Sequence, residues 1–245
     1  MKEIEDDAVV LRTYASGEAD RVVVLFTRAH GKLRVIAKGV RKSTSRLGGT
    51  LEVLAHVRVD LVRTRGEFYV ARHVQHLARY ATLRSDYERI VAGMAVVEMV
   101  DAIPVDDVVD AGLFDTLVRV LGALDQEAFS PSLVPAAFGL RLLEFDGSAP
   151  TVDHCVNCGR EAPLVAFDAA VGGALCSQCR SGSAISPDAL SLLGRILGGD
   201  LAGVLREPAA GTLEVAALVQ RALEAHFGRR LRAGRSSAHL VGDEG

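Results

Sequence analysis

Residues Arg21 to Glu52 read RVVVLFTRAHGKLRVIAKGVRKSTSRLGGTLE. Eight of them are Lys or Arg (Arg21, Arg28, Lys32, Arg34, Lys38, Arg41, Lys42 and Arg46), and no acid occurs between Asp20 and Glu52. The segment Lys32–Lys38 alternates almost strictly. Successive side chains of a strand take opposite faces, so Leu33, Val35 and Ala37 share one face and Lys32, Arg34 and Lys38 the other. Ile36 is the one apolar residue on the charged face. A half-buried strand that lines up cations and then enters a basic Gly-Ser loop suits a phosphate backbone. A merely solvated strand face is the plainer alternative. The length of the acid-free run favours nucleic acid.

Other short β-branched runs surround this strand. Ala8–Leu11 and Val22–Phe26 are separated by the turn residues Ala-Ser-Gly-Glu-Ala-Asp. Val57, Val59 and Leu61 alternate with Arg58 and Asp60, and Phe68-Tyr69-Val70 follows a Thr-Arg-Gly-Glu turn. Five strands at such short intervals predict a small closed barrel, and the five-stranded oligonucleotide-binding barrel is the economical choice. From about Tyr80 the period becomes helical. Ile90, Met94 and Val97 mark one helix over Asp86–Ile103, and Leu113, Leu117, Val120, Leu121 and Leu124 a second. Ser130-Pro131 predicts the start of a third, which Asp146-Gly147 stops. Ser186-Pro187-Asp188 repeats the start signal, and Thr212 is the expected cap of the last helix. Gly198–Gly211 and the tail after Ala233 read as loops. The expectation is an α+β chain: a five-stranded OB-fold β-barrel over 1–79, then a helical domain over 80–245 with a zinc-finger insertion at about 150–183.

Charge divides the chain in the same way. Residues 1–80 hold 15 Lys and Arg against 9 Asp and Glu, whereas the remaining residues hold 13 against 22. A net charge of −3 hides a basic module joined to an acidic body. There is no Trp, and aromatics are 5% of residues, which argues against many bases stacking on the protein. No apolar run has membrane-spanning length and the N-terminus lacks a signal-peptide core, so a cytoplasmic protein is expected.

All four cysteines fall in two Cys-x-x-Cys pairs, Cys155/Cys158 and Cys176/Cys179. Each pair presents two thiolates from one tight turn, and two such knuckles make a tetrahedral zinc site. Disulfides are disfavoured in a reducing compartment, and a redox Cys-x-x-Cys needs only one pair. His154 is a neighbour rather than a ligand. Four sulfurs leave no position for substrate, so such a zinc is structural. Asp106, Asp107 and Asp110 stand at a helix start, where acids are favoured without any metal. The Arg229-Arg230-x-Arg232 cluster at a helix C-terminus has a similar electrostatic reason. No P-loop, dinucleotide fingerprint or nucleophile elbow occurs, and no catalytic residues are assigned.

The order of several short blocks then carries a resemblance. D-x-A-V-V-L-R, G-E-A-D-R, L-F-T-R-x-H-G and A-K-G-V-R-K-x-x-S-R are followed by F-G-L-R-L-L-E-F-D-G-S-A-P-x-x-D-x-C-V-N-C-G. Over essentially the whole chain this resembles the bacterial DNA repair family RecO. The resemblance implies a recombination mediator, not an enzyme, that binds single- and double-stranded DNA and anneals complementary strands. It implies work with single-stranded-DNA-binding protein and RecR to load RecA. It places DNA contacts on Arg21, Lys32, Arg34, Lys38, Arg41, Lys42 and Arg46. Where relatives often have L-x-P-F, this chain has Leu51-Glu52-Val53-Leu54, and Ser148 stands where many have an aromatic. The acidic, apolar-ended tail of the single-stranded-DNA-binding protein is expected to dock on the helical body near Arg119 or Arg141. A zinc-knuckle adaptor gripping a protein partner without annealing DNA is the alternative.

Overall fold

The structure is a computed structural model and describes residues 3–40, 49–104, 111–126, 129–206 and 209–231. In chain order the strands of the first part are β1 (Glu3–Ser16), β2 (Asp20–Thr27), β3 (Gly31–Ala37), β4 (His56–Arg63) and β5 (Phe68–Ala78). The helices that follow are α1 (Ala81–Ser85), α2 (Tyr87–Ala102), α3 (Ala111–Leu124) and α4 (Val134–Phe145). Then come β6 (Leu164–Asp168), β7 (Gly173–Cys176), β8 (Ser183–Ala184), α5 (Pro187–Leu197), α6 (Leu201–Arg206) and α7 (Thr212–Phe227). The chain forms two compact units, one of residues 1–85 with 103–125, the other of 86–102 with 126–245.

In the first unit the strands close as β1-β2-β3-β5-β4, with only β3 and β5 parallel. This is the order of the oligonucleotide-binding barrel. Ala8, Val10, Val23, Leu25, Val35, Ala37, Val57, Val59 and Leu61 fill its interior. The blocks that carry the family resemblance meet at its two ends. At one end the Thr27 hydroxyl, fully buried, donates to the Gly31 carbonyl and accepts from the His30 N–H. Asp6 accepts from the Ala29 N–H and lies 2.8 Å from His30 Nδ1. Gly31 takes φ +70°, which closes this turn without a Cβ clash. At the other end Asp20 Oδ1 accepts from the Gly39 N–H at 2.7 Å. These short blocks are turn chemistry that fixes which strand end meets which.

The same unit holds a helix that the sequence assigns to the helical body. The Phe114 ring of α3 lies 5.9 Å from Phe26 and 6.0 Å from His56, against the outside of the barrel. Asp115 receives Arg28 at 2.9 Å, and Asp125 accepts from the Leu83 N–H of α1.

The second unit packs α2, α4, α5 and α7 about one core. Here several expectations are corrected. Val97 is buried as expected but Met94 is exposed, and α2 also buries Ala92, Ala95, Val96, Met99 and Val100, because its small residues let neighbours approach most of its circumference. Ser130-Pro131 opens a 3-10 turn over Pro131–Leu133, and the α-helix begins only at Val134. Its stop is as read: Ser148 N–H reaches the Leu143 carbonyl and Gly147 N–H the Glu144 carbonyl, with Gly147 at φ +69°. Ser186 caps α5 by accepting from Ala189 N–H. Thr212 is not a cap. Gly211, at φ +82°, takes that place, and Thr212 is the first helical residue. The Gly-Ala patch contains α6. Among the described residues no helix is long and apolar enough to cross a membrane.

Candidate nucleic-acid interface and metal centre

The register of the barrel decides where each cation points. Directly opposed residues in adjacent strands share a face. Val23 opposes Val35 and Leu25 opposes Leu33, and all four face the interior. Val24 opposes Arg34 and Val22 opposes Ile36, so Arg34 faces outward, where it is exposed. Lys38, just beyond β3, is exposed as well. Lys32 shares the outward face, but its ammonium donates to the Ile103 carbonyl. Arg21 opposes Ala37 and therefore stands in the inward-facing register at the barrel end, half-buried. The basic stretch is thus not one surface. Arg41, Lys42 and Arg46 lie outside the described residues, as do Asp106, Asp107, Asp110 and Arg232. Arg229 and Arg230 are exposed just after α7.

Sequence reasoning missed two outward residues. A register shift between Val10 and Arg12 inserts Leu11 as a β-bulge in β1. Strict alternation from the buried Val10 would send Arg12 and Tyr14 inward. The extra residue turns both outward, opposite Val24 and Val22. The Arg12 guanidinium lies 5.9 Å from the centroid of the Tyr14 ring, a cation–π pair. Glu67 sits 3.8 Å from Arg34, with both side chains largely exposed.

The cysteines meet as their spacing predicts. Their four sulfurs lie within 4.8 Å of one another, and Cys158 Sγ is 3.7 Å from Cys176 Sγ. Sulfurs ~2.3 Å from one tetrahedral ion stand about 3.8 Å apart, so the donor set fits a four-coordinate metal. None is joined in a disulfide. Gly159, at φ +72°, turns the first knuckle, and its N–H reaches the Cys155 carbonyl. β6 and β7 form the hairpin that carries Cys176, with β8 on its other edge. Cys155, Ala166, Leu175 and Cys176 make a small core beneath the site. Backbone N–H groups, that of Cys176 first, bring the Cys155 pKa down to about 6, while the Cys158 side chain first pushes that of Cys179 up to about 12. His154 is turned to Asp153 at 2.8 Å and is not part of the cluster.

Arg119 and Arg141 fall in different units. Arg119 belongs to α3 in the barrel's unit and donates to Thr116 and to the Asp115 carbonyl. Arg141 belongs to α4 in the second unit and pairs with Glu144. The second unit also has an apolar groove of about 280 Å³ between α2, α4 and α7, lined by residues including Tyr87, Met99 and Leu213.

Fold and site define a class: an oligonucleotide-binding barrel followed by a helical region with a four-cysteine cluster that could hold a metal ion. The comparisons with known proteins agree. A family model described as Recombination protein O N terminal matches residues 1–79, and one described as Recombination protein O C terminal matches 84–235. A protein named DNA repair protein RecO from a Nocardioides species is 37% identical over 233 residues, covering 93% of this chain and 96% of its own length. Its namesake from Streptomyces coelicolor is 36% identical over 242 residues, covering 95% and 97%. The chain belongs to the RecO family of DNA repair proteins.

Proposed function

We propose that this chain is a non-catalytic recombination mediator that binds single- and double-stranded DNA, anneals complementary strands and assists RecA loading on strands coated by single-stranded-DNA-binding protein. The observation that carries the reading is the outward row of Arg12, Arg34 and Lys38 on an oligonucleotide-binding barrel. Phosphate contacts of this kind position a strand without reading its sequence. Arg21, Lys32, Arg41, Lys42 and Arg46 extend the proposed interface, Arg21 and Lys32 from less open positions. The ion held by Cys155, Cys158, Cys176 and Cys179 is zinc, and its role is to fold the knuckles. The partners are single-stranded-DNA-binding protein, RecR and, functionally, RecA. The acidic tail of the first docks beside Arg119 or Arg141, where rim cations steer and apolar neighbours hold.

The test is DNA affinity at several salt concentrations. Replacing Arg34 and Lys38 with Ala in the full chain weakens binding to every sequence alike. It also flattens the dependence of log K on log salt by ~0.7 per lost single-strand phosphate contact. An unchanged slope places the interface elsewhere. For the tail, an Arg119→Ala/Arg141→Ala double variant that binds tail peptide as tightly as the parent rules out both positions.

The adaptor reading has one observation in its favour, the apolar groove with Tyr87 and Leu213 exposed at 61% and 57%. Full-length protein that binds neither single nor double strands would establish it in place of the mediator.

A further inference from the structure

The barrel carries a bulge in β1 at Leu11. It leaves a large aromatic ring, Tyr14, 43% exposed on a sheet face whose other open side chains include Arg12, Arg34 and Lys38. An exposed tyrosine on a barrel costs hydrophobic burial, and a bulge costs ladder pairing. Without the bulge the ring would point into the interior beside Val10, so the local geometry spends both to put it outside. Its environment is cationic. Arg12 lies over the ring, Arg34 and Ile36 follow on the same face of β3, and Lys38 stands just beyond. Acids near this face include Glu67 beside Arg34, Asp20, whose carboxylate caps the Gly39 N–H, and Glu18 in the β1–β2 turn. An aromatic face among cations is complementary to a polyanion that also offers flat apolar rings, and an unpaired nucleic-acid strand is such a ligand. Duplex DNA offers the phosphates but keeps its bases stacked on each other.

We propose that Tyr14, braced by Arg12, is a stacking platform for a single unpaired base, and that it gives this barrel its preference for unpaired over paired strands. The inference rests on the DNA-binding reading above and adds which strand form is favoured and why. One platform suits a chain with sparse aromatics. The cations hold any phosphate chain, while the ring holds only a chain whose bases are free. For annealing this is useful, because the platform releases its base once the base pairs.

The experiment uses the full-length protein and three probes: oligothymidylate, an abasic deoxyribose-phosphate chain of the same length, and a duplex. Parent protein binds oligothymidylate roughly five- to hundredfold tighter than the abasic chain, the range of base–aromatic stacking. Tyr14→Ala abolishes that difference and leaves abasic and duplex affinities and the salt slope unchanged. Tyr14→Phe, which keeps the ring and loses the hydroxyl, retains the difference. The ring is exposed, so both variants fold, and their melting temperatures check this. A Tyr14→Ala variant that still prefers the base-bearing chain overturns the proposal, as does a parent that binds both chains equally while binding DNA. A parent that binds none of the probes overturns the DNA reading itself, and this inference with it.

Discussion

His56 shows how one side chain links burial to pH. It begins β4, half-buried against the edge of Phe114, and its Nε2 finds no hydrogen-bond partner among the described residues. Desolvation lowers its pKa below the usual 6.5, outweighing the pull of Asp7 upward. A lowered folded-state pKa means that the unfolded chain binds the proton more readily. The stability from neutral His56 is therefore full above about pH 6.5 and is lost as pH falls through and below that value. His76 shifts in the same direction, also chiefly by burial. The expected outcome is that the barrel's unfolding free energy declines between pH 7 and 5, and that His56→Phe makes the decline shallower. Denaturant titrations of both proteins at a series of pH values measure it, and identical pH profiles would contradict it. Single residues also mark what was legible. Arg34 and Lys38 could be assigned outward because β3 alternates without a bulge. Arg12 and Tyr14 could not, because one inserted residue, Leu11, shifts every later side chain of β1 to the other face. Arg21 could be counted as a cation from the sequence but not oriented, since its face depends on cross-strand register.

At the scale of elements, the cysteine knuckles and the helix pair α4–α7 lend themselves to substitution. Metal binding and folding are coupled where donors come from separate turns. Cys176 is fully buried in the small core with Cys155, so Cys176→Ser removes a ligand from the part of the hairpin least able to rearrange. The expected outcome is loss of bound metal and early melting of the second unit, with DNA affinity of the barrel largely kept. Metal analysis beside a melting curve tests it, and full metal content in the variant would contradict a four-sulfur site. In α4 a Cβ on Gly139 would lie 2.7 Å from Leu223 Cδ1 and 3.0 Å from Val219 Cγ1, both on α7. Gly139→Val overpacks that contact and costs about 1–3 kcal/mol, read as a lower denaturation midpoint. Gly139 sits within a block that carries the family resemblance, and this close approach supplies a physical reason for a small residue there. The knuckle spacing was legible because two local turns can only converge on one ion. The start of α7 was not, since Gly211 caps it through backbone geometry that no side-chain signal announces.

Over the whole molecule, chain order and compact units do not coincide. The family models divide the chain near residue 80, whereas the barrel's unit takes back residues 103–125 after α2 has entered the other unit. Helical periodicity identified α3 but not its destination, because an amphipathic stripe does not say which apolar surface it will meet. The barrel supplies that surface. Phe26 faces outward from β2 yet is 1% exposed, and Phe114 packs on it. Phe114 is itself 2% exposed, so Phe114→Ala in the full chain removes a fully used side chain. The expected cost is about 3–5 kcal/mol to the barrel's unit. Hydrogen exchange locates the damage: protection falls at β2 and at the start of β4, while the amides of β6 and β7 and the bound metal stay as in the parent. If protection were lost only in the second unit, α3 would belong with the helices as the period change near Tyr80 suggests. A barrel that leans on a helix from beyond residue 79 also explains why a fragment ending there is a poor test of DNA binding. It would uncover Phe26 and His56, the barrel residues against which Phe114 packs.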